Sequence, residues 1–336
     1  AETIQAAGTA LKNWIGKLNK IPAKELFQDR IERWKKIGHW NEVTVNKAQL
    51  IQEKVSRLPV INKEGFVQRH KDCYSKSGKH VYDPVNGSLL QKNNYVCDIC
   101  GHKYVRPSAW DYMDLILDQG SFNEHEETRY VIDKDILEFP GYSEKLEETR
   151  LKTGMTSALI TGMGKILKNE VIYCGTEFGF LGGSYCMSSG EKIWRAAEIA
   201  LTKGLPMVLQ ACGGGARMHE GCSSMVGIPK AHVALTRVER KGIPVITLIT
   251  DPTLGGVAIG YGSRGIRLFE LNSGNIGFSG RRVIEQYVGH KLGRDFQTTQ
   301  WLHQHGHADT IVTPENIRKM IVEIIEGSSP QNTVDK

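Results

Sequence analysis

Two hydrophobic periodicities divide this chain. Residues 1–65 show helical spacing, with Ile4, Leu11, Trp14, Ile15, Leu18 and Ile21 near one face and Lys12, Lys17 and Lys20 largely off it. Such a stripe ordinarily packs on its own protein, while a basic amphipathic helix can also dock on a membrane or a partner. Residues 111–150 are polar and acidic, with Phe139 and Tyr142 as aromatic anchors, and predict helix and loop. Beyond residue 154 the pattern changes. Short branched runs predict buried strands at 158–161, at 171–175, and in the segments that begin at Leu205 and Ile243. Between them, Ile193, Ala197, Ala200 and Leu201 mark a helix over 189–203 that stops at Gly204, and Ala231, Leu235 and Val238 mark another that ends at Gly242. A short strand at 276–278, a helix from Arg281 and a last helix over 314–326 follow, the last with Ile317, Ile321, Ile324 and Ile325 on one side. The tail 327–336 is polar and predicts disorder. Strands alternating with helices predict an α/β domain with a largely parallel sheet.

The runs beginning at Leu205 and Ile243 each feed directly into glycines, Gly213, Gly214 and Gly215 in the first and Gly255 and Gly256 in the second. Residues 171–175 lead likewise to Gly182 and Gly183. A strand that ends in glycines and turns into a helix leaves backbone N–H groups bare in a cleft. That arrangement can hold an oxyanion or the phosphates of a nucleotide. Either run alone is read equally well as a tight strand-to-helix turn. Both together, joined by a helix, could aim their amides at one small group.

Composition narrows the classes. Glycine numbers 36 of 336 residues and concentrates after residue 154. The length allows two domains of unequal size. No run of about 18 apolar residues and no signal-peptide core occur, so the expectation is a soluble, cytoplasmic protein without a membrane span. A net charge of +6 suits an anionic ligand or an acidic partner and, with no localised basic patch, argues against nucleic acid. Seven cysteines, five of them outside any C-x-x-C pair, fit a reducing compartment.

Cys97 and Cys100 in CDICGH form half of a zinc knuckle, two thiolates on a turn able to reach one tetrahedral metal. The upstream half offers only Cys73, so His80, His70, Asp72 or His102 would have to complete the set. The alternative is a degenerate ribbon held by Tyr82, Tyr95, Val96 and Tyr104. Phosphate-loop, dinucleotide and G-x-S-x-G signatures are missing, which leaves backbone chemistry. A site built of amides can stabilise the enolate of a thioester without charging any side chain.

The motifs CDICGHKY, LDQGSF, KTGMTSALITGMG, FGFLGGS, GEKI, GGGARMHEG, LITDPTLGGV, GFSGRRVIEQ and FQTTQWLHQHGHADTIV follow one another in order. In that order the chain resembles the β subunit of the carboxyltransferase of bacterial and plastid acetyl-CoA carboxylase, of the crotonase-like superfamily, over residues 95–325. The resemblance implies a ββα superhelix at 111–326. Ahead of it the cysteine spacing marks a zinc-ribbon-like domain at 66–110, either metal-bound through Cys73, Cys97, Cys100 and His80 or degenerate. Residues 1–65, which have no counterpart in the family, are read from their own pattern as a helical extension, and 327–336 as a disordered tail. The resemblance implies a reaction as well. Carboxybiotin on a carrier protein releases CO2, the biotin enolate takes the α-proton of acetyl-CoA, and the thioester enolate attacks CO2 to give malonyl-CoA.

By that resemblance Gly255 and Gly256 form an oxyanion hole, Gly214, Gly215 and Ala216 shape the same pocket, and a bulky residue at Gly255 is the sharpest lesion. Arg217, Arg281 and Arg282 become anion contacts on the CoA side, with Leu254, Gly182 and Gly183 also lining the substrate. The implied partners are a carboxyltransferase α subunit in an α2β2 heterotetramer, the biotin carboxyl carrier protein and biotin carboxylase. Departures from the family pattern include Cys212-Gly213 in place of a serine, His219 for glutamine, and 258–266 for the usual small-residue helix. These suggest a specialised paralogue. The alternatives to the housekeeping acetyl-CoA reaction are a carboxyltransferase or decarboxylase for another acyl-CoA, an inhibitor-insensitive paralogue beside an antibiotic pathway, or a non-catalytic subunit.

Overall fold

The computed structural model describes residues 107–271, 273–293 and 295–328, together with Thr9, Lys12, Ile21, Pro22, Lys24, Glu25, Gln28, Ile31 and Glu32. The chain divides into two units, Ala1–Trp40 and Asn41–Lys336, and all that follows concerns the second. Cys73, His80, Cys97 and Cys100 lie outside the described residues, as do most of the N-terminal stripe and residues 329–336. Among the described residues no cluster of three or more His, Cys, Asp or Glu could hold a metal.

Helix α1 (Ala109–Ile116) starts at a capping box. Ser108 Oγ accepts from the Asp111 N–H at 3.2 Å, and Asp111 accepts from the Ser108 N–H at 2.7 Å. After β1 (Asn123–Glu124) and α2 (Tyr142–Thr153), the hairpin of β2 (Leu159–Ile166) and β3 (Asn169–Thr176) pairs antiparallel. Its loop is Leu167–Lys168, both at positive φ, as a two-residue hairpin turn requires. From β3 onward the sheet is parallel: β4 (Met207–Gly213), β5 (Val245–Leu254), β6 (Ile266–Glu270) and β8 (Thr310–Val312) add in turn, and β7 (Ile276–Gly277) pairs with the end of β5. The crossovers are α3 (Met187–Lys203), which stops at Gly204 in the left-handed region, and α4 (Cys222–Arg240). The predicted strands and helices of this region are therefore present, with an antiparallel edge added. Helices α5 (Arg281–Val288), α6 (Thr299–Gln304) and α7 (Ile317–Gly327) follow.

Every residue of β4 is buried, which is why it reads as a continuous apolar run and not as an alternation. Tyr112 and Ile116 of α1 and Ile317 and Ile321 of α7 pack on Tyr173, Val208, Ile246, Leu248 and Leu268 in one core. A fully buried aliphatic side chain contributes about 1.5–3 kcal/mol. Strand β6 was not legible, because Arg267 and Glu270 break its apolar pattern. Both charges are used: Arg267 pairs with Asp309 at 2.9 Å, and Glu270 accepts from the Tyr112 hydroxyl at 2.8 Å.

Candidate active site

Strands β3, β4 and β5 are parallel neighbours, so their carboxyl ends emerge side by side at one edge of the sheet, where α/β proteins build their sites. Each ends in a glycine turn. The β4–β5 register slips between Ala211 and Gly213, and there the Thr250 and Thr253 hydroxyls each donate to the Ala211 carbonyl at 2.8 Å. Gln210 holds the other side, accepting from the Thr176 N–H at 2.8 Å and donating to Thr250 at 3.0 Å. The turns are thus anchored from below by buried polar groups whose hydrogen bonds are satisfied.

The three turns meet backbone to backbone. A Cβ at Gly183 would lie 2.5 Å from the Cys212 carbonyl oxygen, and one at Gly213 would lie 2.3 Å from that of Gly183. Gly214 donates its N–H to Gly182 O at 2.9 Å, Tyr185 donates to Gly215 O at 2.7 Å, and Arg217 donates to Tyr185 O at 2.7 Å. A Cβ at Gly256 would stand 2.9 Å from Ala216 N, and one at Gly255 would stand 3.3 Å from Gly215 Cα. The loops 213–216 and 255–256 therefore open onto one place, as the paired glycine runs predict. One expectation changes: the Gly214 amide is spent on Gly182 and cannot also hold an oxyanion. The N–H groups of Gly215 and Ala216 have no acceptor among the described residues. Gly256 lies in the first turn of a helical segment, where N–H groups lack partners within the helix. Gly255 supplies the turn itself, at φ 47°.

Arg217 stands elsewhere than a substrate contact would. It is 1 % exposed, and its guanidinium donates to Asp133 at 2.9 Å, to the Tyr142 hydroxyl at 2.8 Å and to Ser184 O at 3.0 Å. The Tyr142 hydroxyl donates in turn to Glu220 at 3.1 Å, and Glu220 accepts the Met187 N–H at 2.9 Å. This buried network clamps the turn after Ala216 to the segment before α2. Burial, and then the neighbouring Asp133, raise the Glu220 carboxyl to about 7. His219 stacks on the Tyr142 ring at 4.5 Å, and burial lowers its pKa. Arg281 is also occupied, donating to the carbonyls of Leu292, Gly293 and Phe296 at 3.0, 2.7 and 3.0 Å. Arg282 is exposed. Leu254 is half-buried, and its Cδ1 would lie 3.5 Å from a Cβ at Gly280, just before these arginines. Gly182, Gly183, Gly214, Gly215, Ala216, Leu254, Gly255 and Gly256 thus share one edge. Asp133 and Glu220 escaped the sequence reading, since the Asp133–Arg217 clamp spans 84 residues and leaves no local spacing.

Residues 102–332 match the carboxyl transferase domain family. The acetyl-coenzyme A carboxylase carboxyl transferase subunit beta of Clostridium novyi is 36% identical over 283 residues, covering 83% of this chain and 96% of that protein. The subunit beta of Carboxydothermus hydrogenoformans is 39% identical over 240 residues, covering 71% of this chain and 85% of that protein. Among solved structures, a transcarboxylase 12S crystal structure with hydrolysed methylmalonyl-coenzyme A bound aligns with a TM-score of 0.54 at 22% identity, over 68% of this chain. This chain spans 42% of that one. The crotonase-like α/β architecture expected from the motifs is the one these neighbours share.

Proposed function

The chain belongs to the carboxyl transferase domain family, and on that footing we propose that it carries out the carboxyltransferase half-reaction of an acetyl-CoA carboxylase. The carboxyl group moves from carboxybiotin on a carrier protein to acetyl-CoA, forming malonyl-CoA. The observation that carries this reading is the meeting of the 213–216 and 255–256 turns, with the Gly215 and Ala216 amides lacking acceptors among the described residues. Acetyl-CoA becomes a nucleophile only as its enolate, whose charge sits on the thioester oxygen. Main-chain N–H groups from Gly215, Ala216 and Gly256 would stabilise that oxygen without reorganising, in a site the sheet edge holds rigid. Gly214, Gly182 and Gly183 hold the turns, and Arg217 acts behind them. Of the three arginines expected to contact the CoA, the exposed Arg282 then keeps that role.

The same reading calls for an α-type subunit, a biotin carrier protein and biotin carboxylase, with an α2β2 assembly. Exposed apolar surface supports a partner at this end: α5 buries no residue, Tyr287 is 91 % exposed and Phe278 is 78 % exposed. No helix among the described residues is long and apolar enough to cross a membrane, and a cytoplasmic location belongs to the same proposal. Zinc at Cys73, Cys97, Cys100 and His80 belongs to the same proposal on the spacing of its cysteines. Metal analysis of the purified chain tests it, with stoichiometric zinc expected and a zinc-free protein refuting it.

Assay of the chain with an α-type subunit, biotinylated carrier and a panel of acyl-CoAs tests the activity. Malonyl-CoA formation from acetyl-CoA is expected. Turnover confined to another acyl-CoA would overturn the substrate, and CoA binding without turnover in any pairing would overturn the enzyme.

A further inference from the structure

Tyr185 and Ala216 form a single parallel bridge beside the glycine turns. Tyr185 donates its N–H to Gly215 O and accepts from the Arg217 N–H, both at 2.7 Å, so the bonds to Tyr185 use the residues on either side of Ala216. In such a pair the middle residue turns its own N–H and C=O to the opposite side. On that side stands the 255–256 turn, with a Cβ at Gly256 2.9 Å from Ala216 N. The sheet order, β3 then β4 then β5, thus continues past the strand ends, and the bridge aims the Ala216 amide.

Two bonds alone hold a peptide loosely. Upstream of Ala216 lie Gly214 and Gly215, the latter at φ 127°, and a glycine pair does little to fix the direction of the next peptide. The direction comes from downstream, where Arg217 grips the facing segment twice. Its main chain donates to Tyr185 O, and its guanidinium donates to Ser184 O at 3.0 Å and to the Ser184 hydroxyl. Behind it, one carboxylate reaches both sides of the bridge. Asp133 Oδ2 accepts from Arg217, next to Ala216, at 2.9 Å, while Oδ1 accepts from the Cys186 thiol at 3.3 Å and from the Ser188 hydroxyl, just beyond Tyr185. Asp133 is buried and its own backbone is held, the N–H by Thr156 O at 3.2 Å and the carbonyl by Arg150. Bonds from a carboxylate to a guanidinium are among the stronger ones a protein makes.

We infer that Asp133 is a positioning residue for carboxyl transfer: by tying Arg217 and the Cys186–Ser188 segment to one carboxylate, it holds the Ala216 N–H on the place where the enolate oxygen forms. The inference rests on the carboxyl-transfer reading. Asp133 touches no reacting atom and acts through the Ala216 peptide. Asparagine in its place keeps the shape but turns one acceptor into a donor, so Arg217 and the start of α3 cannot both keep theirs.

The test is a double-mutant cycle on malonyl-CoA formation by the chain assembled with an α-type subunit and biotinylated carrier, with urea unfolding to confirm that each variant is folded under assay conditions. Asp133→Asn is expected to lower kcat about 100-fold, the cost of a displacement of about 1 Å, with KM within a fewfold of wild type. Ser188→Ala, which removes one Oδ1 partner, lowers kcat about five- to tenfold. Gly256→Ala already displaces the Ala216 N–H, so in that background both substitutions lose their effect on kcat. A residue that only stabilised the fold would multiply its loss instead. Multiplied losses, or a wild-type kcat in the folded variants, overturn the inference. Ser188→Ala keeps the ion pair and carries the test alone if Asp133→Asn fails to fold. Wild type without turnover in any pairing removes the carboxyl-transfer reading and this inference together, whereas turnover with multiplied losses removes only the role of Asp133.

Discussion

Substitution of Gly256 by alanine separates backbone catalysis from simple turn geometry. The added methyl carbon would sit 2.9 Å from Ala216 N and 3.0 Å from both Ala216 Cα and Cβ, closer than real contacts of this kind allow. All three atoms belong to the facing turn, so the two loops must part, and the Ala216 N–H is the group displaced or covered. Loss of one such donor costs about 10²–10³ in kcat, or about 2.7–4 kcal/mol. Two neighbours serve as comparisons. Alanine at Gly255 meets ordinary to tight contacts at 3.3 and 3.4 Å, but φ there is 47°, so its cost of about 1–2 kcal/mol falls first on stability. Alanine at Gly214 meets only Gly182 O at 3.7 Å, and the amide it carries is already donated. The assay is malonyl-CoA formation by the assembled carboxyltransferase, with kcat and KM taken separately and thermal unfolding as the folding control. Gly256→Ala is expected to lose kcat by two to three orders of magnitude, and Gly214→Ala to stay within a fewfold of wild type. A Gly256→Ala enzyme with normal kcat, or a Gly214→Ala enzyme equally damaged, would refute the argument.

Other perturbations address the clamp and the surface. Arg217→Ala leaves Asp133 buried without its cation and should destabilise the protein by about 3–5 kcal/mol in urea unfolding, with Arg217→Lys recovering only part. Glu220 binds its proton more tightly folded, near 7, than at its ordinary 4.5, so the stability it contributes is full below about 4.5 and is lost as pH rises toward 7. Glu220→Gln should flatten the dependence of the urea midpoint on pH across that window, and an unchanged slope would count against the assignment. Arg282→Ala should raise KM for acetyl-CoA a fewfold with kcat intact, the difference shrinking at high salt. An effect on kcat alone would move Arg282 out of the substrate-binding role.

The parts of this molecule governed by local rules were open to reading. Strand β4 is apolar throughout because both its faces are covered, Gly204 ends α3 because only the left-handed region closes that helix, and the glycines after β4 and β5 mark their turns. Strand β6 was hidden because its charges are neutralised by distant groups, and nothing in IRLFE shows Asp309 or Tyr112. Arg217 illustrates the same limit at the site. An arginine after a glycine loop reads as an anion contact from sequence, and only its burial against Asp133 and Tyr142 turns it inward. Gly214 went the other way: the spacing of GGGA does not reveal which amide is spent on Gly182.

The ion pair between Asp133 and Arg217 also bears on how this polypeptide can be cut. A fragment beginning at β2 would keep every strand from β2 onward and all of the site glycines, yet it would lack Asp133 and the Tyr142 ring that tether the central turn from upstream. Such a fragment could assemble its sheet and still leave its reactive edge slack. The boundary of the smallest working unit is therefore set upstream of Asp133 by one carboxylate, and not by where the sheet begins.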